Sequence, residues 1–248
     1  MTLDPRRSED RPGRRTRAHP SLARQPYADL EAIDFSRMYS VLRDLVFLDD
    51  TFLSMQAINV SIVDKMITHG EYDLLRECRE IERTPTDSVM EVSALSQMWI
   101  FALYELLRTW RERIYDFRKQ YQNGMLEARA KRLLADAEAE QNIAALIRAA
   151  QARRVIEAPS VLEGAEFQLA TVKPVYKMID LLRVNLAKHQ APGRSNVIPV
   201  APGYGRINSQ CGALDFQVTA QDRTFVVLNR RDVADALRAV EVVPANEK

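Results

Sequence analysis

One stretch of this sequence, Leu182-Arg183-Val184-Asn185-Leu186-Ala187-Lys188-His189, ends an apolar-periodic run with an arginine, an asparagine and a histidine. Histidine exchanges a proton near neutral pH, and guanidinium grips phosphate oxygens in pairs. Breaking a phosphodiester without a metal needs a base for the 2′-hydroxyl proton, an acid for the leaving oxygen and a cation for the charge growing on phosphorus. Arg183 and His189 are of the right types. On a regular helix, positions six apart differ by about 120°, so the two converge only if the helix end at Gln190–Gly193 frays or two copies of the helix pair. A histidine in the last turn also faces the negative end of the helix dipole, where its charged form simply stabilises the helix.

Other templates fail on inventory. The chain has no GxxxxGK[ST] loop, no GxSxG elbow and no HExxH pair. Two cysteines, Cys78 and Cys211, and three histidines, His19, His69 and His189, argue against a disulfide scaffold and a zinc module. No metal or cofactor is expected. Gly203-Tyr204-Gly205-Arg206 reads as a tight loop before a strand. Asp49-Asp50 are neighbours that point apart on a helix. Glu105 has Arg108 at i+3 and reads as a surface pair, and Glu138 and Glu140 as solvated charges. His69, just before Gly70, reads as a helix-end residue, Tyr104 and Tyr176 as core, and the thiols as inert. Trp99 and Trp110 share one helix face and read as core or interface packing.

The Arg183/His189 spacing resembles the R-x(4–6)-H motif of the HEPN superfamily, helical-bundle proteins many of which are metal-independent endoribonucleases. The Leu-Arg start and the polar Asn185 inside the spacer are also HEPN-like. That family often places the polar residue directly after the arginine, where this chain has Val184. The resemblance covers at most residues 30 to 190. It implies RNA as partner, Arg183 holding phosphate, His189 in acid–base exchange, Asn185 orienting substrate or histidine, and two paired copies forming a composite cleft. Arg14 and His19, one residue closer together, also fit the motif. A second class of function stands beside this one: a non-catalytic helical interaction protein whose apolar stripes bury a partner or a second copy. DNA binding through Asn229–Val240 would rest on Arg230 and Arg231 alone, so DNA is not the expected partner.

These residues need a frame to hold them. The 248 residues are 46% hydrophobic and 28% charged, with 35 Lys and Arg against 34 Asp and Glu, which predicts a folded body without a bulk-charge signature for nucleic acid. Residues 1–28 carry seven arginines among prolines and read as a disordered basic tail. Apolar residues at threes and fours from Leu30 to His69 predict a helix ended by Gly70, followed by a short helix, Tyr72 to about Glu82, before Thr84-Pro85. The strongest period, with Thr86, Asp87 or Ser88 as N-cap, runs from Leu95 to Tyr121 and breaks at Asn123-Gly124. An alanine-rich helix, about 126 to 157, and another, about 161 to 190 with Pro174 kinking or dividing it, complete a bundle over 29–191.

Four of the eight glycines, Gly193, Gly203, Gly205 and Gly212, fall within twenty residues, and 192–205 reads as a Pro/Gly-rich loop. Over 206–243, Leu214–Val218 and Phe225–Leu228 predict a hairpin, with Asn229 capping a last helix. The expected class is therefore mainly α: an antiparallel helical bundle with a small C-terminal β-hairpin plus helix. Long helices with wide apolar faces predict a homodimer. With no run of about 18 apolar residues and no apolar signal core, a soluble, reducing, cytoplasmic setting without a membrane is expected.

Overall fold

Among the described residues, apolar side chains at helical spacing drive six helices into one bundle, and a short sheet with a seventh helix closes its end. The computed structural model describes residues 26–190, 193, 196, 198 and 205–242; the basic tail before Pro26 and most of the Pro/Gly-rich loop lie outside them. A 3-10 turn, Leu30–Ala32, leads to α1 (Ser36–Arg43), α2 (Thr51–Ile81), α3 (Thr86–Gln122), α4 (Leu126–Glu140), α5 (Ile143–Glu157) and α6 (Ser160–Lys188). Then come β1 (Gly205–Ile207), β2 (Leu214–Thr219), β3 (Phe225–Leu228) and α7 (Arg230–Arg238). The sheet is antiparallel in the order β1-β2-β3, with Phe216 opposite both Gly205 and Leu228. The mainly helical class read from the sequence is the class observed, with β1 as an added third strand.

The helix boundaries differ from expectation in four places. The first predicted helix is interrupted over 44–50, because Leu45, Val46, Phe47 and Leu48 form a buried non-helical segment rather than a turn of helix. Its backbone polar groups are satisfied from afar: Trp110 donates to Val46 O at 2.8 Å, and Arg113 and Gln151 each donate to Phe47 O at 3.2 Å. Gly70 does not end a helix. It lies inside α2, with Val92 of α3 packed over it, and tertiary packing outweighs its propensity cost of about 1 kcal/mol. The alanine-rich helix divides at Gln141, which is left-handed, and Asn142 caps α5 by accepting from Ala145 N at 3.0 Å. Finally, α3 starts at Thr86 behind Pro85, without a side-chain cap. Pro174 is accommodated within one continuous α6.

One cluster of buried side chains draws on all these helices and on β2 and β3. Trp99 and Trp110 lie within it, and Trp99 donates to Val60 O of α2 at 2.9 Å. The C-terminal unit enters the same core through charge as well as apolar surface. Arg230, at the start of α7, is fully buried, and its guanidinium reaches both oxygens of Glu71 at 2.8 and 2.6 Å and the Thr68 hydroxyl at 2.9 Å. Asp64 bonds both Arg230 and Arg238. The turn before β2 touches α2 so closely that a Cβ on Gly212 would fall 1.8 Å from Glu71 O, and its φ of +76° favours glycine as well.

Candidate functional site

Arg183 sits about one and a half turns before the end of α6, on the face turned to α3. Its guanidinium carbon lies 3.9 Å from the centre of the Tyr104 ring, and its Nη2 donates to Asp180 Oδ1 at 3.1 Å. Nε makes no hydrogen bond among the described residues. Tyr104 stacks on Tyr176 of α6, with ring centres 5.5 Å apart and planes at 29°. On Tyr176 lies a second guanidinium, that of Arg111, at 3.7 Å. Arg111 also approaches the Tyr115 ring at 5.9 Å, and Arg118 approaches the same ring at 5.3 Å. The outcome is a ladder along the α3–α6 seam: Arg118, Tyr115, Arg111, Tyr176, Tyr104, Arg183.

Helical spacing builds this ladder. Arg111, Tyr115 and Arg118 stand at i, i+4 and i+7 on α3, and Tyr176, Asp180 and Arg183 at the same intervals on α6. Each flat guanidinium gains from the negative face of a ring, by about 0.5 to 2 kcal/mol according to desolvation. Burial, and then the neighbouring Tyr104 hydroxyl, push the Tyr176 phenol above its ordinary pKa, so it stays neutral under physiological conditions. The charges in the ladder are unequally neutralised. Arg118 pairs with Glu166 at 3.2 Å and Arg183 with Asp180. Arg111 makes no ion pair among the described residues. Lys173 and Lys177 are exposed on α6 beside Tyr176.

No family model, curated protein or solved structure matches this chain. Its site is therefore read from its own geometry.

Of the three residues singled out by the sequence, Arg183 is the one that the ladder incorporates. Asn185 is buried and its amide is fully occupied: Nδ2 donates to Leu181 O at 2.9 Å and Thr219 O at 3.2 Å, and Oδ1 accepts from Thr219 N at 2.9 Å. It fastens the end of β2 to α6. His189 is the C-cap of α6, exposed and left-handed at φ 51°. Because α6 stays helical through Lys188, fraying does not bring His189 back towards Arg183. Six residues of helix separate them by about 9 Å along the axis and about 120° around it.

The remaining sequence candidates fall into structural roles. Glu105 is exposed and bonds Arg108, which also reaches Glu112 at 2.9 Å. His69 lies inside α2, not at a helix end, and stacks on Phe35 with centres 5.7 Å apart. Asp50 caps α2 and pairs with buried Arg113 at 3.1 Å, whereas Asp49 meets Arg154 at 2.8 Å, so the adjacent acids serve different contacts. Arg230 and Arg231 are buried and engaged with acids, which removes the two charges behind a DNA-reading α7. Among the described residues, no group of three or more His, Cys, Asp or Glu side chains is placed to hold a metal. No helix among them is long and apolar enough to cross a membrane.

A cavity of about 560 Å³ opens between the 3-10 turn and the end of α2, lined by Asp29, Glu31, Tyr72, Arg76, Arg79 and Glu80 among others. Its charges are mixed, with Arg76 paired to Asp73, and it favours no single class of ligand. The ladder is the better candidate. Of its other members, Tyr104 and Tyr176 were read from the sequence as core, and Tyr115, Arg111 and Arg118 were not singled out. The matching i, i+4, i+7 spacing on two helices was the signal for it.

Proposed function

We propose that this chain is a HEPN-like helical protein that binds single-stranded RNA along the α3–α6 seam, with Arg111 and Arg183 holding successive phosphates. One observation carries the reading: the Tyr104/Tyr176 stack lies between two guanidiniums, at 3.9 and 3.7 Å. A guanidinium laid flat on a ring keeps its N–H groups at its edge, where phosphate oxygens accept them in pairs. Stacking also fixes the side-chain rotamers before a ligand arrives, which lowers the entropy lost on binding. Exposed Tyr115, Lys173 and Lys177 extend the surface with a ring for base stacking and two mobile cations.

Binding stands ahead of cleavage in this reading. His189 is exposed and of the right chemical type, but its separation from Arg183 along α6 places the two at different points of a bound strand. Two unpaired thiols fit a reducing, cytoplasmic setting.

Fluorescence anisotropy with a labelled single-stranded RNA tests the proposal. Wild-type affinity should fall as salt rises, and the Arg111→Ala/Arg183→Ala double variant should bind about 10- to 100-fold more weakly, with a log–log salt slope shallower by roughly one and a half. Salt-independent binding, no binding, or an unaffected double variant would overturn it. Cleavage in the presence of a chelator, abolished by His189→Ala without loss of binding, would replace it with the ribonuclease reading.

A further inference from the structure

The outer face of α2 is apolar without being buried. Phe52, Met55, Ile62 and Met66 are each more than half exposed, and they follow the three- and four-residue steps of a heptad seam, with exposed Asn59 at its middle. Helices α2 and α3 lie side by side and send their buried faces into one core, so their exposed residues share the opposite face. There α3 adds Met90 and Met98, also more than half exposed, with the small residues Ala94 and Ala102 between and beyond them. Beyond Ala102 the α3 face becomes charged, at Glu105 and Arg108.

We infer that this α2–α3 face is a two-fold interface that binds a second copy of the same chain. Size is the first argument. Six side chains of about 200 Å² each, exposed by rather more than half, leave roughly 700 Å² of apolar surface. A monomer's largest apolar patch is typically about 300–600 Å², whereas one side of a standard stable interface needs about 800 Å². With the intervening alanines and Asn59, the face reaches that size.

Symmetry is the second argument, and it selects the occupant. An isologous contact requires the same patch on both partners, related by an axis through its centre. The α2 seam is nearly symmetric about Asn59: Phe52 and Met66 lie seven residues to either side, and Met55 and Ile62 four and three. Two copies of α2 crossing antiparallel at Asn59 therefore set large apolar residues on large apolar residues along the whole seam. The one polar group at the crossing meets its own equivalent, and an asparagine amide can donate to and accept from a second amide. A buried Asn pair of this kind fixes register at some cost in stability. Two α2–α3 hairpins joined this way form a four-helix layer, a common solution for exposed helical faces. The interface is separate from the α3–α6 seam and does not depend on RNA binding.

Sedimentation equilibrium on the full chain, a 28.3 kDa monomer, provides the test, supported by disulfide trapping. The wild type should sediment at twice the monomer mass at micromolar concentration. Ile62→Glu and Met66→Glu should each give a monomer with unchanged far-UV circular dichroism and melting cooperativity, since both side chains are exposed in the single chain. Met125→Glu, at another exposed methionine, should remain dimeric. In a Cys78→Ser background, Asn59→Cys should form an intermolecular disulfide on mild oxidation. A wild type that stays monomeric throughout the micromolar range, a dimer that survives Ile62→Glu and Met66→Glu together, or a dimer that Asn59→Cys fails to link would each overturn the inference.

Discussion

Asn185 and Arg183 lie two residues apart on α6, yet they do opposite kinds of work. Three hydrogen bonds from the Asn185 amide satisfy both backbone groups of Thr219 and the carbonyl of Leu181. Asn185→Ala leaves the Thr219 N–H and C=O buried without partners, and each orphaned group costs about 1–3 kcal/mol. Urea unfolding should show a loss of about 3 kcal/mol, while RNA affinity of the folded fraction stays within twofold of wild type. Loss of binding or cleavage in a fully stable Asn185→Ala protein would instead make it a reagent. Arg183→Ala should weaken RNA binding and cost stability no more than the roughly 0.5–2 kcal/mol of its ring contact. At this scale the sequence was half legible. Arg183 and His189 were visible as chemical types, and Asn185 follows Leu182 by three residues on an apolar stripe, which is the signature of an inward-facing position. The partners were hidden because Thr219 is 34 residues away and Tyr104 lies on another helix. Short spacing within one helix says nothing of either.

Among the elements, α3, α6, α7 and the β2–β3 hairpin were readable because each signals itself locally. Asn229, expected as the cap, forms a complete capping box with Asp232, with bonds of 2.8 and 2.9 Å. The break over 44–50 was not readable. Its apolar residues continue the helical period, and only side chains from α3, α5 and α6 make a non-helical path tolerable there. The two arginines that open α7 were weighed as charges for DNA for the same reason: nothing nearby in the chain shows that Asp64 and Glu71 await Arg230. Burial alone disfavours the Arg230 charge, but Glu71 and Asp64 more than offset it and raise its pKa. Breaking such a pair from one side leaves uncompensated carboxylates in the core, at a cost of about 3–5 kcal/mol. Arg230→Ala should therefore lower stability by that amount in urea. Arg230→Lys should recover only part of it, because a point charge cannot bond both Glu71 oxygens and Thr68 together. An Arg230→Ala protein as stable as wild type would mean that α7 docks by apolar contact alone.

At the scale of the whole molecule, the bundle and the C-terminal unit share one hydrophobic cluster and one buried ionic network. Shared burial has a consequence for cooperativity, because neither part can open without exposing the other's core. Two natural reporters sit on opposite sides of the division. Trp99 and Trp110 report on α3, and Cys211, fully buried in the turn before β2, reports on the C-terminal unit. Burial pushes the Cys211 thiol up to about 12, with the Ala213 backbone N–H opposing the shift and the Glu71 charge adding to it. In the native state at a pH of about 8 it is therefore both inaccessible and protonated, and a thiolate-selective reagent should modify half-buried Cys78 first. Along a urea titration, exposure of Cys211 should follow the same curve as the tryptophan fluorescence, with one midpoint for both. The sign of the pH effect is fixed as well. A thiol whose pKa is higher folded than unfolded favours the native state below about 8.5 and withdraws that support as pH climbs towards about 12. The midpoint should accordingly fall over this alkaline range, and Cys211→Ala should flatten that part of the fall. If Cys211 became reactive at a urea concentration where both tryptophans remained buried, the sheet and α7 would be a separate folding unit resting on the bundle.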